Sequence, residues 1–209
     1  MNTPFSVDCR LCPRLSCFLD QVKTENPDYY AKPVPPFGDA DPRLLIVGLA
    51  PGMHGANRTG RPFTGDYAGI LLYRTLHKFG FASQPESVSA DDSLRLSGCR
   101  ITNAVKCLPP QNKPETSEIR TCNRFLRQEL ESLGEGRAVL ALGNIAHQAV
   151  LEAMGLKKKD YPFGHGVAYD LPGGKKLFSS YHCSRYNTQT RRLTNAMFEE
   201  VFAAIAKAL

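Results

Sequence analysis

Nineteen residues, Gly48 to Asp66, concentrate the side chains that could do chemistry. The stretch reads Gly-Leu-Ala-Pro-Gly-Met-His-Gly-Ala-Asn-Arg-Thr-Gly-Arg-Pro-Phe-Thr-Gly-Asp, with five glycines and two prolines, a content that bars ordinary helix or strand. His54, Asn57, Arg58, Thr59, Arg61, Thr64 and Asp66 supply donors, acceptors and one carboxylate, and Phe63 is an aromatic among few apolar neighbours. Glycine lets a backbone approach a ligand closely. The stretch follows an apolar run, Leu44 to Val47, that reads as a buried strand. A loop leaving the C-terminal end of a parallel strand lies where open α/β sheets bind ligands. The sequence therefore places the active site here.

Two further stretches carry chemistry. Tyr181 to Thr194 puts His182 at a strand end, followed by Ser184, Arg185, Asn187, Thr188, Arg191 and Arg192 at the start of a helix. A helix start presents unpaired amides to anions, and this set of side chains suits a phosphate backbone. Four cysteines have ligand spacing: Cys9 and Cys12 as a CxxC, Cys107 in a proline loop, and Cys122 early in a helix. Two thiolate pairs can enclose either Zn²⁺ or a [4Fe–4S] cluster, and spacing alone does not separate them. Cys99 is expected in the core, and Cys17 could compete as a ligand.

The elements that must position these groups alternate. Strands are expected at Arg43–Ala50, Gly98–Lys106 and Ala138–Gly143, each apolar enough to be buried on both faces. Helices are expected at Tyr67–Gly80, Ser117–Leu133, Asn144–Met154 and about Thr190–Ala208, where apolar residues recur at helical spacing. Val167–Leu171 and Lys175–Ser180, joined by Pro-Gly-Gly, read as a hairpin. The fold class is α/β: a three-layer α/β/α sandwich on a mostly parallel four-stranded sheet. It puts loops 51–66, 107–116 and 181–190 on one edge. One domain, 1–209, is expected, with a cysteine-bearing arm, 1–42, whose proline-rich part, 21–42, is extended. Residues 83–97 read as a polar, acidic surface loop.

The 209 residues carry a net charge of +6, which suits a polyanionic partner. No apolar run reaches the roughly 18 residues of a membrane span, and the N-terminus lacks the regions of a secretory signal. A cytosolic protein with reduced cysteines is expected.

Six motifs occur in one order: Cys9-x-x-Cys12, Pro36-Phe-Gly-Asp39, Gly48-Leu-Ala-Pro-Gly52, the run from His54 to Asp66, Ile101-Thr-Asn-Ala-Val-Lys-Cys107, and the segment His182 to Thr194. Together they resemble the uracil-DNA glycosylase superfamily, specifically its family 5, the type B iron–sulfur enzymes. The resemblance implies a DNA glycosylase that flips uracil, and other deaminated bases such as hypoxanthine and xanthine, out of DNA and hydrolyses the N-glycosidic bond in base excision repair. It further implies a [4Fe–4S] cluster on Cys9, Cys12, Cys107 and Cys122, and a monomer in the bacterial or archaeal cytoplasm, associated with the nucleoid.

The implied roles are specific. Asp66 positions water or stabilises the sugar cation, and His182 donates to the base. Ala50, Pro51, Gly52, His54, Asn57, Phe63 and Asn103 form the base pocket, with Phe63 stacking and Asn103 reading an edge. Arg58, Arg61, Ser184, Arg185, Tyr186 and Asn187 face the DNA. Leu49 stands where family 4 carries Glu in a Gly-Glu-Ala-Pro-Gly pattern. Cys183 replaces the proline expected after His182, and Arg191 stands where glycine is usual. A zinc-stabilised, non-enzymatic nucleic-acid-binding module is the alternative, but it leaves the glycine-rich loop, Asn103 and His182 without a task. A nucleotide-binding metabolic enzyme would need a GxGxxG or P-loop after a strand, and none is present.

Overall fold

A computed structural model of the chain describes residues 4–209. Six strands form one sheet: β1 (Phe37–Gly38), β2 (Leu44–Gly48), β3 (Cys99–Asn103), β4 (Ala138–Leu142), β5 (Ala168–Leu171) and β6 (Lys175–Ser180). Their order is β1-β3-β2-β4-β6-β5, in which the four central strands are parallel and both edge strands antiparallel. The expected four-stranded sheet is thus the centre of a wider one. The additions are the short β1 strand and the hairpin arm β5. Gly173 and Gly174, at φ 74° and 67°, make the tight turn between β5 and β6. The loop is three residues, 172–174, between the paired Leu171 and Lys175, and glycine takes left-handed conformations there without strain.

Among the described residues, seven α-helices accompany the sheet: α1 (Pro13–Glu25), α2 (Ala56–Thr59), α3 (Tyr67–Lys78), α4 (Thr116–Glu131), α5 (Asn144–Ala153), α6 (Arg185–Gln189) and α7 (Asn195–Ala208). Alternation along each strand divides the core. Leu44, Ile46, Ile101, Leu140 and Phe178 pack against α3 and α7, while Leu45, Val47, Val139, Ala141 and Leu177 pack against α4 and α5. Every residue of β2 and β4 is buried, which explains their uninterrupted apolar sequence. The sandwich has three layers.

Four local expectations are revised. The glycine-rich stretch, expected to bar helix, holds one short helical turn, α2, which Gly60 ends at φ 80°. The N-terminal arm contains a helix, α1, whose Leu15, Leu19 and Val22 bury against Val105, Leu108 and Phe125. Proline at its first position starts it, and its apolar residues fall at helical spacing. The last helix is divided. Arg191 takes φ 56°, and Thr194 then caps α7 by accepting from the Met197 amide. A left-handed residue cannot continue a right-handed helix. Residues 83–97 are not merely solvated, because Leu94 and Leu96 are buried and Ala82 pairs with Leu96.

Candidate active site

Strand register places the site. In the parallel pairing of β2 with β3, Gly48 lies opposite Asn103, so the first loop and the Asn103 side chain leave the sheet together. Leu142 of β4 lies opposite Ser180 of β6, which sets His182 just beyond the same edge. β2 is followed in the chain by its neighbour on one side and, after β3, by its neighbour on the other. Such a reversal of strand order opens a crevice at the carboxyl ends. A cavity of about 360 Å³ occupies it, lined by Leu49, Ala50, Gly52, Ala56, Phe63, Asp66, Tyr67, Ala68, Asn103, Asn112, His182, Ser184 and Arg185. That is ample for a single nucleobase and falls in the usual range of small-molecule pockets.

Glycines make room for the functional groups. A Cβ on Gly48 would stand 2.3 Å from Asn103 Oδ1 and 2.7 Å from Phe63 Cζ. A Cβ on Gly55 would meet the Asp66 carboxylate at 1.9 Å. Asp66 precedes α3, and its Oδ2 accepts the Ala56 amide at 3.2 Å. Burial raises its pKa above the ordinary value, opposed by that amide and by the charges of Arg58 and His54. The carboxylate is consequently a stronger base than an exposed aspartate.

Phe63 adopts φ 56° and is buried, with its ring stacked on His182 at 6.0 Å between centroids and 27° between planes. Desolvation lowers the His182 pKa to about 4, so the imidazole is neutral near pH 7 and can donate one N–H without carrying charge. The His182 backbone oxygen accepts from Asn187 Nδ2 at 2.8 Å, tying the strand end to α6. Asn103 is buried, and its Oδ1 has no hydrogen-bond partner among the described residues. An unpaired amide oxygen in a cavity wall is costly unless a ligand pairs with it.

The remaining residues singled out from the sequence fall in different places. Ala50 and Gly52 line the cavity, whereas Pro51 is buried behind it. His54 is exposed, and its Nδ1 meets the Tyr29 hydroxyl at 2.8 Å. Asn57 is fully buried outside the cavity lining; its amide side chain has no partner among the described residues. Arg58 is exposed beside Asp66. Arg61 is not on the surface at all. Its guanidinium is buried, paired with Asp92 and stacked on Phe37 at 4.4 Å.

Ser184 caps α6 by accepting from the Asn187 amide, and Arg185 stacks over Tyr67 at 5.0 Å on the cavity rim. Tyr186 stands 70% exposed beside them, the most exposed large apolar side chain described. With five residues, α6 is one short turn rather than the start of the long final helix. The two departures from the family pattern differ in consequence. Arg191 holds a left-handed conformation that glycine would adopt without strain, while Cys183 is fully buried against the core.

Beyond Leu49, four cavity residues escaped the sequence reading: Ala56, Tyr67, Ala68 and Asn112. Gln111 and Asn112 are both left-handed, at φ 55° and 56°. The signal available was chemical: asparagine tolerates that region, and it stands here in a proline-bounded loop.

Cys9, Cys12, Cys107 and Cys122 line one cavity behind the 105–108 segment. Burial raises the Cys107 pKa, and the neighbouring Cys122, Cys9 and Cys12 raise it further. The Lys106 amide donates to Cys122 Sγ at 3.3 Å. Among the described residues, no three His, Cys, Asp or Glu side chains gather into a group that could hold a metal ion. Cys17 is exposed, and Cys99 is in the core as expected.

The family model of the uracil DNA glycosylase superfamily matches residues 35–206, which contain every cavity residue. The chain belongs to that superfamily. It is 53% identical over 92% of its length to a type-5 uracil-DNA glycosylase of Thermus thermophilus, covering 90% of that protein. It is 42% identical over 96% of its length to a type-5 uracil-DNA glycosylase of Pyrobaculum aerophilum, covering 88% of that protein. A type-4 uracil-DNA glycosylase of Thermotoga maritima is 32% identical over 70% of the chain, covering 67% of that protein. The type-5 relatives place the chain in family 5, which agrees with Leu49 in the cavity wall where family 4 carries a carboxylate.

His182 gives a pH test. Its folded pKa of about 4 lies below the 6.5 of a free imidazole, so the unfolded state takes up a proton first as pH falls. Its contribution is intact above pH 6.5 and is lost progressively down to about pH 4. Urea denaturation across this window should show stability falling with acid, with a shallower fall in a His182→Gln variant.

Proposed function

We propose that this protein is a uracil-DNA glycosylase that excises uracil from DNA, working as a monomer through one domain spanning the chain. The observation that carries the reading is the meeting of Asp66, Asn103, Phe63 and His182 on one nucleobase-sized cavity, in a chain of this family. A base within a duplex is out of reach, so the target nucleotide is flipped into the cavity. Phe63 stacks on its ring, and the Asn103 amide, whose Oδ1 is otherwise unpaired, reads its edge.

Cleavage of the N-glycosidic bond leaves an anionic base and a cationic sugar. Neutral His182 donates its N–H to the base oxygen on which charge develops, at no cost of moving a second charge. Asp66, held by the Ala56 amide across the glycine cradle, takes the sugar side. It orients the attacking water or stabilises the cation directly. No covalent bond to the enzyme forms. Arg185 and exposed Tyr186 enter the gap the base leaves, while Arg58, Ser184 and Asn187 face the phosphates. Leu49 and Ala50 give an apolar, roomy wall, which favours acceptance of hypoxanthine and xanthine beside uracil.

The four thiols suit a [4Fe–4S] cluster. All four line one cavity, and four thiolates in two pairs are the ligand set that such a cluster takes. Cys9 and Cys12 come from the arm, and Cys107 and Cys122 from the segment joining β3 to α4. The cluster's chemistry there is architectural, since hydrolysis transfers no electrons. It ties the arm to the body of the enzyme. Bacterial and archaeal relatives accord with action on cytoplasmic, nucleoid DNA.

Oligonucleotides carrying one uracil, hypoxanthine or xanthine test the assignment, with alkali revealing abasic sites. Cleavage of uracil and at least one purine is expected; intact uracil together with retained DNA binding would favour the binding module. Asp66→Ala should lower the single-turnover rate roughly 100-fold or more with DNA affinity little changed. Because the raised Asp66 pKa must be exceeded for ionisation, the acid limb of the wild-type rate should lie above pH 3.8. Anaerobically purified protein should contain iron and sulfide in equal amounts, and Cys107→Ser should lose both along with thermal stability.

A further inference from the structure

Arg61 and the 83–97 segment take no part in the chemistry above, yet they join around the backbone that carries Phe63. Arg61 is buried, and its guanidinium donates to Asp92 Oδ1, to Ser87 Oγ and to the Ala90 carbonyl. Asp92 is itself fixed, since its carboxylate accepts amides of Val88 at 2.9 Å, Leu94 at 3.1 Å and Ser89 at 3.3 Å. On the other side of Phe63, the Thr64 hydroxyl meets Ser87 Oγ at 2.6 Å, and the Gly65 amide donates to the Ser87 carbonyl at 3.3 Å.

Phe63 lies between these anchors in a left-handed conformation, which costs a bulky residue of order 1–3 kcal/mol and persists only where the surroundings over-determine it. The strain has a geometric consequence. It turns the Phe63 ring onto His182 and into the wall of the base cavity. The buried guanidinium also explains itself, because a charge taken from water at this depth needs a fixed counter-charge.

We infer that Asp92 and Ser87 are positioning residues for base excision, clamping Arg61 and Thr64 so that Phe63 keeps the pose that receives the flipped base. The inference rests on the glycosylase reading. The clamp touches neither substrate nor Asp66. Its effect should therefore fall on the reacting complex and spare contacts to the DNA backbone.

The test compares wild type, Ser87→Ala, Asp92→Asn and Asp92→Ala in three measurements: single-turnover uracil excision, binding to the same duplex bearing an abasic-site analogue, and melting temperature. The analogue places no base against Phe63. Excision should fall roughly 10- to 100-fold in Asp92→Ala, less in Asp92→Asn, and roughly 3- to 10-fold in Ser87→Ala, with analogue binding within about twofold of wild type. Unchanged rates, or analogue binding that falls in step with the rate, would overturn the inference. Should Asp92→Ala not fold, Ser87→Ala decides alone, since it removes only the shared hydroxyl. Uracil left intact by the wild type would overturn the glycosylase reading itself, and this inference with it.

Discussion

Hydrogen bonding of β2 to β3 on one side and to β4 on the other is the constraint from which the site follows. These ladders fix Gly48 opposite Asn103 and carry β4 into register with β6, so that three separate loops leave the sheet at one edge. The strands are short, β2 and β4 are fully buried, and a slip of one residue would turn each apolar side chain to the wrong face of the sandwich. The core thus guarantees the alignment. The same packing that stabilises Leu44 to Val47 and Ala138 to Leu142 places Asp66, Asn103 and His182 around one cavity.

The site shows opposite uses of desolvation. Partial burial raises the Asp66 pKa and lowers that of His182, bringing a more basic carboxylate and a neutral imidazole to the same cavity. A neutral imidazole exerts no ionic pull on Asp66. Close glycines are what allow this arrangement. At Gly55 and Gly48 the backbone approaches the Asp66, Asn103 and Phe63 side chains more tightly than any Cβ would permit. The loop's glycine content is a packing requirement as much as a turning one.

Away from the cavity, the arm and the body are joined in several places. The cysteine cavity brings together α1's neighbours Cys9 and Cys12 with Cys107 and Cys122. Farther along the arm, the Tyr30 and Ala31 amides donate to the Arg58 and Asn57 carbonyls, and the Val34 amide donates to that of Lys106. The arm therefore lies along both the first loop and the segment leading to Cys107. Whatever steadies the thiols steadies the active-site loop by the same chain of backbone bonds.

Much of this was legible in the sequence because it depends on local chemistry. Unbroken apolar runs specified β2 and β4, Pro-Gly-Gly specified the hairpin turn, and glycine-rich spacing marked the loop ending in Asp66. The CxxC and its distant partners marked the thiols. Arg61 shows where such reading stops. In sequence it is one more basic residue in a polar loop, and only the folded 83–97 segment, through Asp92, makes it a buried strut. Asn112 entered the cavity, and Asn57 was left behind it, for the same reason. Residue type and spacing determine what a side chain can do and which element it joins. Which way it faces is decided by contacts between segments far apart in the chain, and those exist only once the sheet has set its register.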